Sequence, residues 1–364
     1  MTLELGIFLP VANNGWILSA EADPAPPTFE LNRRIALEAE RRGFEFLLAQ
    51  SVWRGHGGVT GFWDTSLECF TIMTALGVAT ERIKLIASVQ PLLYPPAVAA
   101  KMVATADDVC GGRFGINIVA GANLSEYEQM GLLPDGWGDI RYDYATEWIG
   151  AVKRLWGTEP AVDVDGDWIH LTDCRSNPVP ATPPPVFCAG SSARGMAFAI
   201  EHGTHAFVGA ATPELLAETV RRYREAAAGA GRELTIYTVA HLLIADSDEE
   251  AAVAVQHYRD HPDVGAVADL LGQYSRDGAG ESLRKGIVES GEHVFFGGLV
   301  AGSATTVASY VQAIADADVD GLLVMFPDWD DGLRRFCDDV LTLVPHLRTT
   351  NSADLTVGIG ASPT

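Results

Sequence analysis

Short apolar, β-branched runs alternate with stretches of helical periodicity along almost the whole chain. The runs predict strands over 3–10, 44–50, 83–89, 114–121, 185–190, 205–210, 234–245 and 321–326. Between them the 3.6-residue pattern predicts helices over 29–43, 66–79, 97–110, 142–156, 192–203, 212–230, 247–259, 303–317 and 331–347. Thr28, Asp246 or Ser247, and Ser303 stand where N-caps belong. Eight strand–helix units whose strands read as buried on both faces predict an α/β fold, a TIM (β/α)8 barrel with insertions. A doubly wound open sheet has the same alternation, but no G-x-G-x-x-G follows the first strand.

Two stretches break the rhythm. Residues 158–184, rich in Pro, Asp and Thr, predict a surface excursion with a short hairpin around Val164-Asp-Gly-Asp-Trp168. Residues 261–300 carry Gly, Ser and charge and predict a long insertion before the last unit. The expected organisation is one barrel domain over 1–348 with these two insertions, then a flexible polar tail over 349–364.

One strand breaks its own pattern. Phe114-Gly-Ile-Asn-Ile-Val-Ala-Gly121 is apolar except for Asn117, and a buried amide costs about 1–3 kcal/mol unless it is hydrogen-bonded. Asn117 therefore requires a partner, from the backbone or from a ligand. Glu126 and the pair Arg141-Tyr142 follow it as polar groups beyond the strand end. In a barrel the reactive groups sit at such ends. The others read Asn13-Asn14-Gly15-Trp16, then Gln50-Ser51-Val52-Trp53-Arg54-Gly55-His56, then Ser88-Val89-Gln90, then Gly190-Ser191-Ser192 opening a helix. Free N–H groups and hydroxyls at Ser191-Ser192 suit a phosphate monoester, and an ordinary Ser N-cap explains the same residues. Arg141 and Tyr142, at an expected helix start, could serve that phosphate or form a surface salt bridge. His56 reads as a catalytic acid or a solvated loop residue. Trp16, Trp53, Trp63 and Trp137 read as pocket walls or as core.

Composition narrows the partners. Against 25 Lys and Arg stand 48 Asp and Glu, a net charge of −23, which disfavours nucleic acid and anionic membrane surfaces. No apolar run reaches membrane-spanning length and no basic leader is visible, so a cytoplasmic protein is expected. Five dispersed cysteines and nine dispersed histidines lack metal-site spacing, so no metal is expected. There is no G-x-S-x-G and no paired carboxylate of the glycosidase kind. Few acid–base groups beside a phosphate site point to a cofactor that carries the chemistry.

Several segments in one order resemble a known family. They are Gly6-Ile-Phe-Leu-Pro with Asn13-Asn-Gly-Trp16, Pro27-Thr-Phe-Glu-Leu-Asn32, Arg54-Gly-x-Gly-Gly58 with Phe62-Trp-Asp64, and Pro95-Pro96. Gly111-Gly-Arg-Phe-Gly-x-Asn117, Glu126-Tyr-Glu-Gln-Met-Gly131, Arg141-Tyr-Asp-Tyr144 and Thr172-x-Asp-Cys-Arg175 complete the set. Over about 5–348 the chain resembles the bacterial luciferase-like, flavin-dependent monooxygenases, of the pyrimidine (uracil) type. The resemblance implies a TIM barrel using reduced FMN and O2 on a small-molecule substrate. It implies a separate NAD(P)H:flavin reductase and a homo-oligomer, dimer or tetramer. It implies FMN at Ser51, Val52, Asn117, Glu126, Arg141, Tyr142, Ser191 and Ser192, with Asn117 and Ser88 as the oxygen-activating, catalytic pair. Three departures from the uracil type are Val52 for Lys, Ala122 for Trp, and Gln90-Pro-Leu-Leu-Tyr94 for a Thr-rich loop. They point to a reshaped pocket and keep open another small heterocycle, amide or organosulfur substrate. A deazaflavin-dependent oxidoreductase on the same fold is the alternative.

Overall fold

The eight apolar runs become strands because each can bury one face inside a barrel and the other under helices. In the computed structural model of the protein, the described residues are 2–23, 26–121, 123–190, 192–274, 276, 293–295 and 298–347. Strands β1 (Glu4–Phe8), β2 (Phe46–Ala49), β3 (Lys84–Val89) and β4 (Phe114–Ile118) are parallel neighbours. An antiparallel hairpin follows, β5 (Val162–Asp165) and β6 (His170–Cys174). The barrel resumes with β7 (Val186–Ala189), β8 (His205–Phe207) and β9 (Thr235–Ala245). A short β10 (Val300–Ser303) pairs with the outer half of β9, and β11 (Gly321–Met325) closes the ring between β9 and β1. The eight parallel strands form the expected TIM barrel.

Alternation along the strands separates two cores. Leu5, Leu47, Leu85, Ile116, Val186, Ala206, Ile236 and Leu322 face the helices. Phe46, Leu48, Ile86, Phe187, Tyr237 and Leu323, with Phe8, Phe207 and Val239 against them, fill the barrel. Phe46 and Tyr237 stack with ring centroids 5.0 Å apart. Gly6 must be small here, since a Cβ on it would lie 2.2 Å from the Phe46 ring.

Helices α1 (Phe29–Arg41), α2 (Cys69–Ala79) and α3 (Pro96–Val109) alternate with the first strands. Thr28 caps α1, accepting from Leu31 N–H at 3.2 Å. A six-residue α4 (Leu124–Gln129), not anticipated from the sequence, precedes α5 (Trp137–Leu155). The hairpin docks on α5 through Glu147, which accepts from the N–H groups of Asp167, Trp168 and Ile169 at 2.9–3.1 Å. Next come α6 (Ala193–His202), α7 (Pro213–Gly229) and α8 (Asp248–Asp260). Ser247, of the two candidates, caps α8. Within the expected insertion 261–300 the chain forms a helix, α9 (Val264–Tyr274). Asp263 pins it to the loop after β2 by accepting from Val59, Thr60 and Ala266 N–H. Ser303 caps a helix over Ala304–Asp316 as expected, but 331–347 is broken: helix Trp329–Arg335 runs into a π-turn over Phe336–Val340.

Candidate active site

Ser88 and Asn117 are direct cross-strand partners, and both lie on the interior-facing alternation of β3 and β4. Asn117 Nδ2 donates to Ser88 Oγ at 3.0 Å, with both residues buried. The Cys69 thiol donates to the Ser88 carbonyl at 2.9 Å from behind. Among the described residues, Asn117 Oδ1 has no partner. Turning the amide over would exchange its two atoms, so either orientation leaves one buried polar atom of Asn117 unsatisfied, at a cost of about 1–3 kcal/mol.

The strand ends beside this pair converge on Glu126. Its Oε1 accepts from Trp53 N–H at 2.8 Å and its Oε2 from Gln90 Nε2 at 2.7 Å. Glu126 on α4 thereby ties the ends of β2 and β3 together. Burial pushes its carboxyl above the usual range, against the pull of the Trp53 N–H and the Gln90 amide. Gln90 Oε1 is a second buried atom without a partner among the described residues. Ser51 Oγ accepts from Trp53 Nε1 at 2.9 Å, and the carbonyl of buried Val52 accepts from Ser66 Oγ at 2.9 Å.

Arg141 and Tyr142 form a second cluster with Ser192. They lie in the second turn of α5 and not at a helix start, because Gly136, in a left-handed conformation (φ 69°), lets the helix begin at Trp137. Arg141 is buried and donates from Nη1 to Gly121 O at 3.3 Å, and its guanidinium carbon lies 5.0 Å from the Tyr142 ring centroid. The Tyr142 hydroxyl reaches the turn into α6, where a Cβ on Gly195 would lie 2.7 Å from it and one on Gly190 3.1 Å. Only glycine allows that approach. Ser192 Oγ accepts from Gly195 N–H at 3.1 Å, so the side chain acts as the N-cap. The turn and the Tyr142 phenol meet at the positive end of α6, and the Arg141 guanidinium packs on the Tyr142 ring. Ser191 and Ala122 lie outside the described residues.

The other candidates separate. His56 is not solvated: its side chain is 1% exposed, and Nδ1 lies 3.0 Å from Asp269 Oδ2 on α9. Burial holds its pKa below the ordinary value. Trp16 packs on Phe8 at 4.5 Å and edge-on to Trp63 at 5.1 Å, over the β1 side of the mouth. Trp137 is core beside Tyr127, and Trp53 is exposed at the rim. Sequence reasoning passed over His241, a buried side chain on β9 whose Nδ1 has no partner. Its signal was the one that exposed Asn117, a polar residue inside an apolar strand. Among the described residues, no cluster of His, Cys, Asp and Glu could hold a metal ion, and no helix is long and apolar enough to cross a membrane.

A cation beside a helix N-terminus suits a phosphate, and unsatisfied buried amides at the barrel mouth suit a ring that both donates and accepts. The side chains present therefore fit a flavin mononucleotide. The family model described as luciferase-like monooxygenase matches residues 3–321. The chain belongs to this family. A Bradyrhizobium protein named pyrimidine monooxygenase RutA is 41% identical over 94% of this chain and 97% of its own length. An Enterobacter protein of the same name is 38% identical over 94% and 96%. Among solved structures, riboflavin lyase RcaE superimposes with a TM-score of 0.86 at 21% identity, over 97% of this chain and 94% of that one. An F420-dependent secondary alcohol dehydrogenase gives 0.73 at 18%, over 96% and 100%. At such identities the structural likeness establishes the barrel alone.

Proposed function

We propose that the chain is a two-component FMN-dependent monooxygenase that uses reduced FMN and O2 to oxygenate or ring-open a small pyrimidine-like heterocycle. The observation that carries this reading is the buried Ser88–Asn117 pair, with one amide atom left for a ligand at the barrel mouth. Relatives at 38% and 41% identity named pyrimidine monooxygenase support the substrate class. Arg141, Tyr142 and the N-terminus of α6 at Ser192 would hold the phosphate, and Ser51, Val52 and Glu126 would bind the rest of the flavin. Reduced FMN, delivered by an NAD(P)H:flavin reductase, supplies the electrons for oxygen activation when bound. Asn117 and Ser88 offer neutral hydrogen bonds where negative charge develops on oxygen, without a strong acid that would protonate it early. Val52 would bring no charge to that site.

The test mixes the protein with photoreduced FMN, O2 and uracil. An oxygenated or ring-opened product together with uracil-dependent oxygen uptake is expected. Absence of both removes the uracil reading. Difference spectra that show tighter binding of the deazaflavin F420 than of FMN replace it with hydride transfer.

A further inference from the structure

His241 stands on the wall of the barrel that the proposed flavin set leaves alone. Ser51, Ser88, Asn117, Arg141, Tyr142 and Ser192 come from the arc running from β2 to β7. β9 lies across from it, separated from β7 by β8. On β9 the odd positions Tyr237 and Val239 pack into the barrel core, while Ile236, Ala240 and Leu242 face the helices. His241 continues the odd series and points inward.

Its height follows from the strand registers. Ser88 maps through Asn117, Phe187 and His205 onto Thr235. In the other direction Leu85 maps through Leu47, Ile7 and Val324 onto Ala240, so Ser88, three residues on, reaches Leu243. The ring thus closes with a shift of 243 − 235 = 8 residues. Shared evenly, that shift sets Val239 level with Ser88 and His241 one interior layer nearer the mouth.

There the imidazole is 3% exposed, and among the described residues its Nδ1 has no partner and a ring neighbour is Phe295 at 6.3 Å. Burial alone lowers its pKa, to about 3, so the ring is neutral. A neutral imidazole carries one donor and one acceptor that point apart, so the Nδ1 side can make a single hydrogen bond, to either the N–H or the C=O of a cyclic amide. Buried His56 also keeps an unpartnered Nε2; what sets His241 apart is its inward-facing place on a barrel strand at the mouth. We infer that His241 is a substrate-orienting residue, making one hydrogen bond from its Nδ1 side to the –NH–C=O– edge of a lactam-type substrate across the mouth from Asn117. The inference rests on the monooxygenase reading and names the group that recognises its substrate.

The test titrates uracil, and separately hydantoin, into the FMN-loaded full-length protein, using wild type, His241→Phe and His241→Asn. His241→Phe keeps a ring and removes the hydrogen bond, so uracil affinity should fall about 10- to 100-fold. His241→Asn restores an amide and should stay within about threefold of wild type. FMN affinity should stay within about twofold in both. Equal uracil affinity in His241→Phe, or a parallel loss of FMN, overturns the inference. If wild type binds hydantoin but not uracil, the pyrimidine reading fails, and the Phe/Asn contrast on hydantoin still decides His241. If it binds neither ring, the lactam inference falls.

Discussion

At the N-terminal end of the barrel, the Tyr237 hydroxyl donates to Glu4, Lys84 Nζ reaches the same carboxylate at 3.5 Å, and Leu5 N–H donates to Glu45 at 2.7 Å. His205 stacks on Phe187 at 4.1 Å, with Nδ1 2.7 Å from Thr204 Oγ1. At the C-terminal end, Asn117, Gln90 and His241 each keep a buried polar atom without a partner among the described residues. The first arrangement closes a core. The second leaves hydrogen-bonding capacity that only a ligand or water can use, at the end where barrels carry chemistry. Stability and function are thereby assigned to opposite ends of the same strands.

The largest effect expected from this division is at Phe46, which is 1% exposed and packs against Tyr237 and Phe187. Phe46→Ala should lower unfolding stability by about 3–5 kcal/mol while the folded fraction binds FMN as before. A small stability loss with a large FMN loss in denaturation and titration experiments would break the comparison. Next comes Arg141→Ala, expected to weaken FMN about 10- to 100-fold and riboflavin less than about threefold, because the guanidinium meets the phosphate. Equal losses in fluorescence titrations would move Arg141 off the phosphate.

The smallest effect concerns Glu45 and pH. Burial raises its carboxyl to about 7, against the hydrogen bond from Leu5. A raised pKa means that the folded protein holds a proton the unfolded chain releases above about pH 4.5. This contribution is present below that pH and is lost as pH rises through about 7. Wild type should therefore lose stability, on the order of 1–2 kcal/mol, relative to Glu45→Gln between pH 5 and 7.5. Parallel pH profiles in denaturant melts would show that the N-terminal end does not feel this charge.

The barrel was legible because each strand is an apolar run and each helix between them has its own period and often its own cap. Legibility failed where long-range contacts decide. The stretch 261–274 reads as a polar insertion, yet α9 docks on the loop after β2 through Asp263 and buries His56 under Asp269, 213 residues away in sequence. The helix expected over 142–156 begins earlier, at Trp137, because Gly136 supplies the left-handed turn that starts it. Asn117 was found by one polar residue in an apolar strand. His241 carries the same signal in Val239-Ala-His-Leu-Leu243, where the imidazole reads more easily as strand edge than as pocket.

The most direct measurement is the yield of oxygenated product per O2 consumed by Asn117→Ala and wild type, each supplied with photoreduced FMN and uracil. Wild type should convert most of the oxygen it consumes into product. Asn117→Ala, still folded and still binding FMN, should lose about 100-fold or more of the product-forming rate and release its oxygen as hydrogen peroxide. An unchanged product yield in Asn117→Ala would contradict the assignment of this wall to oxygen chemistry.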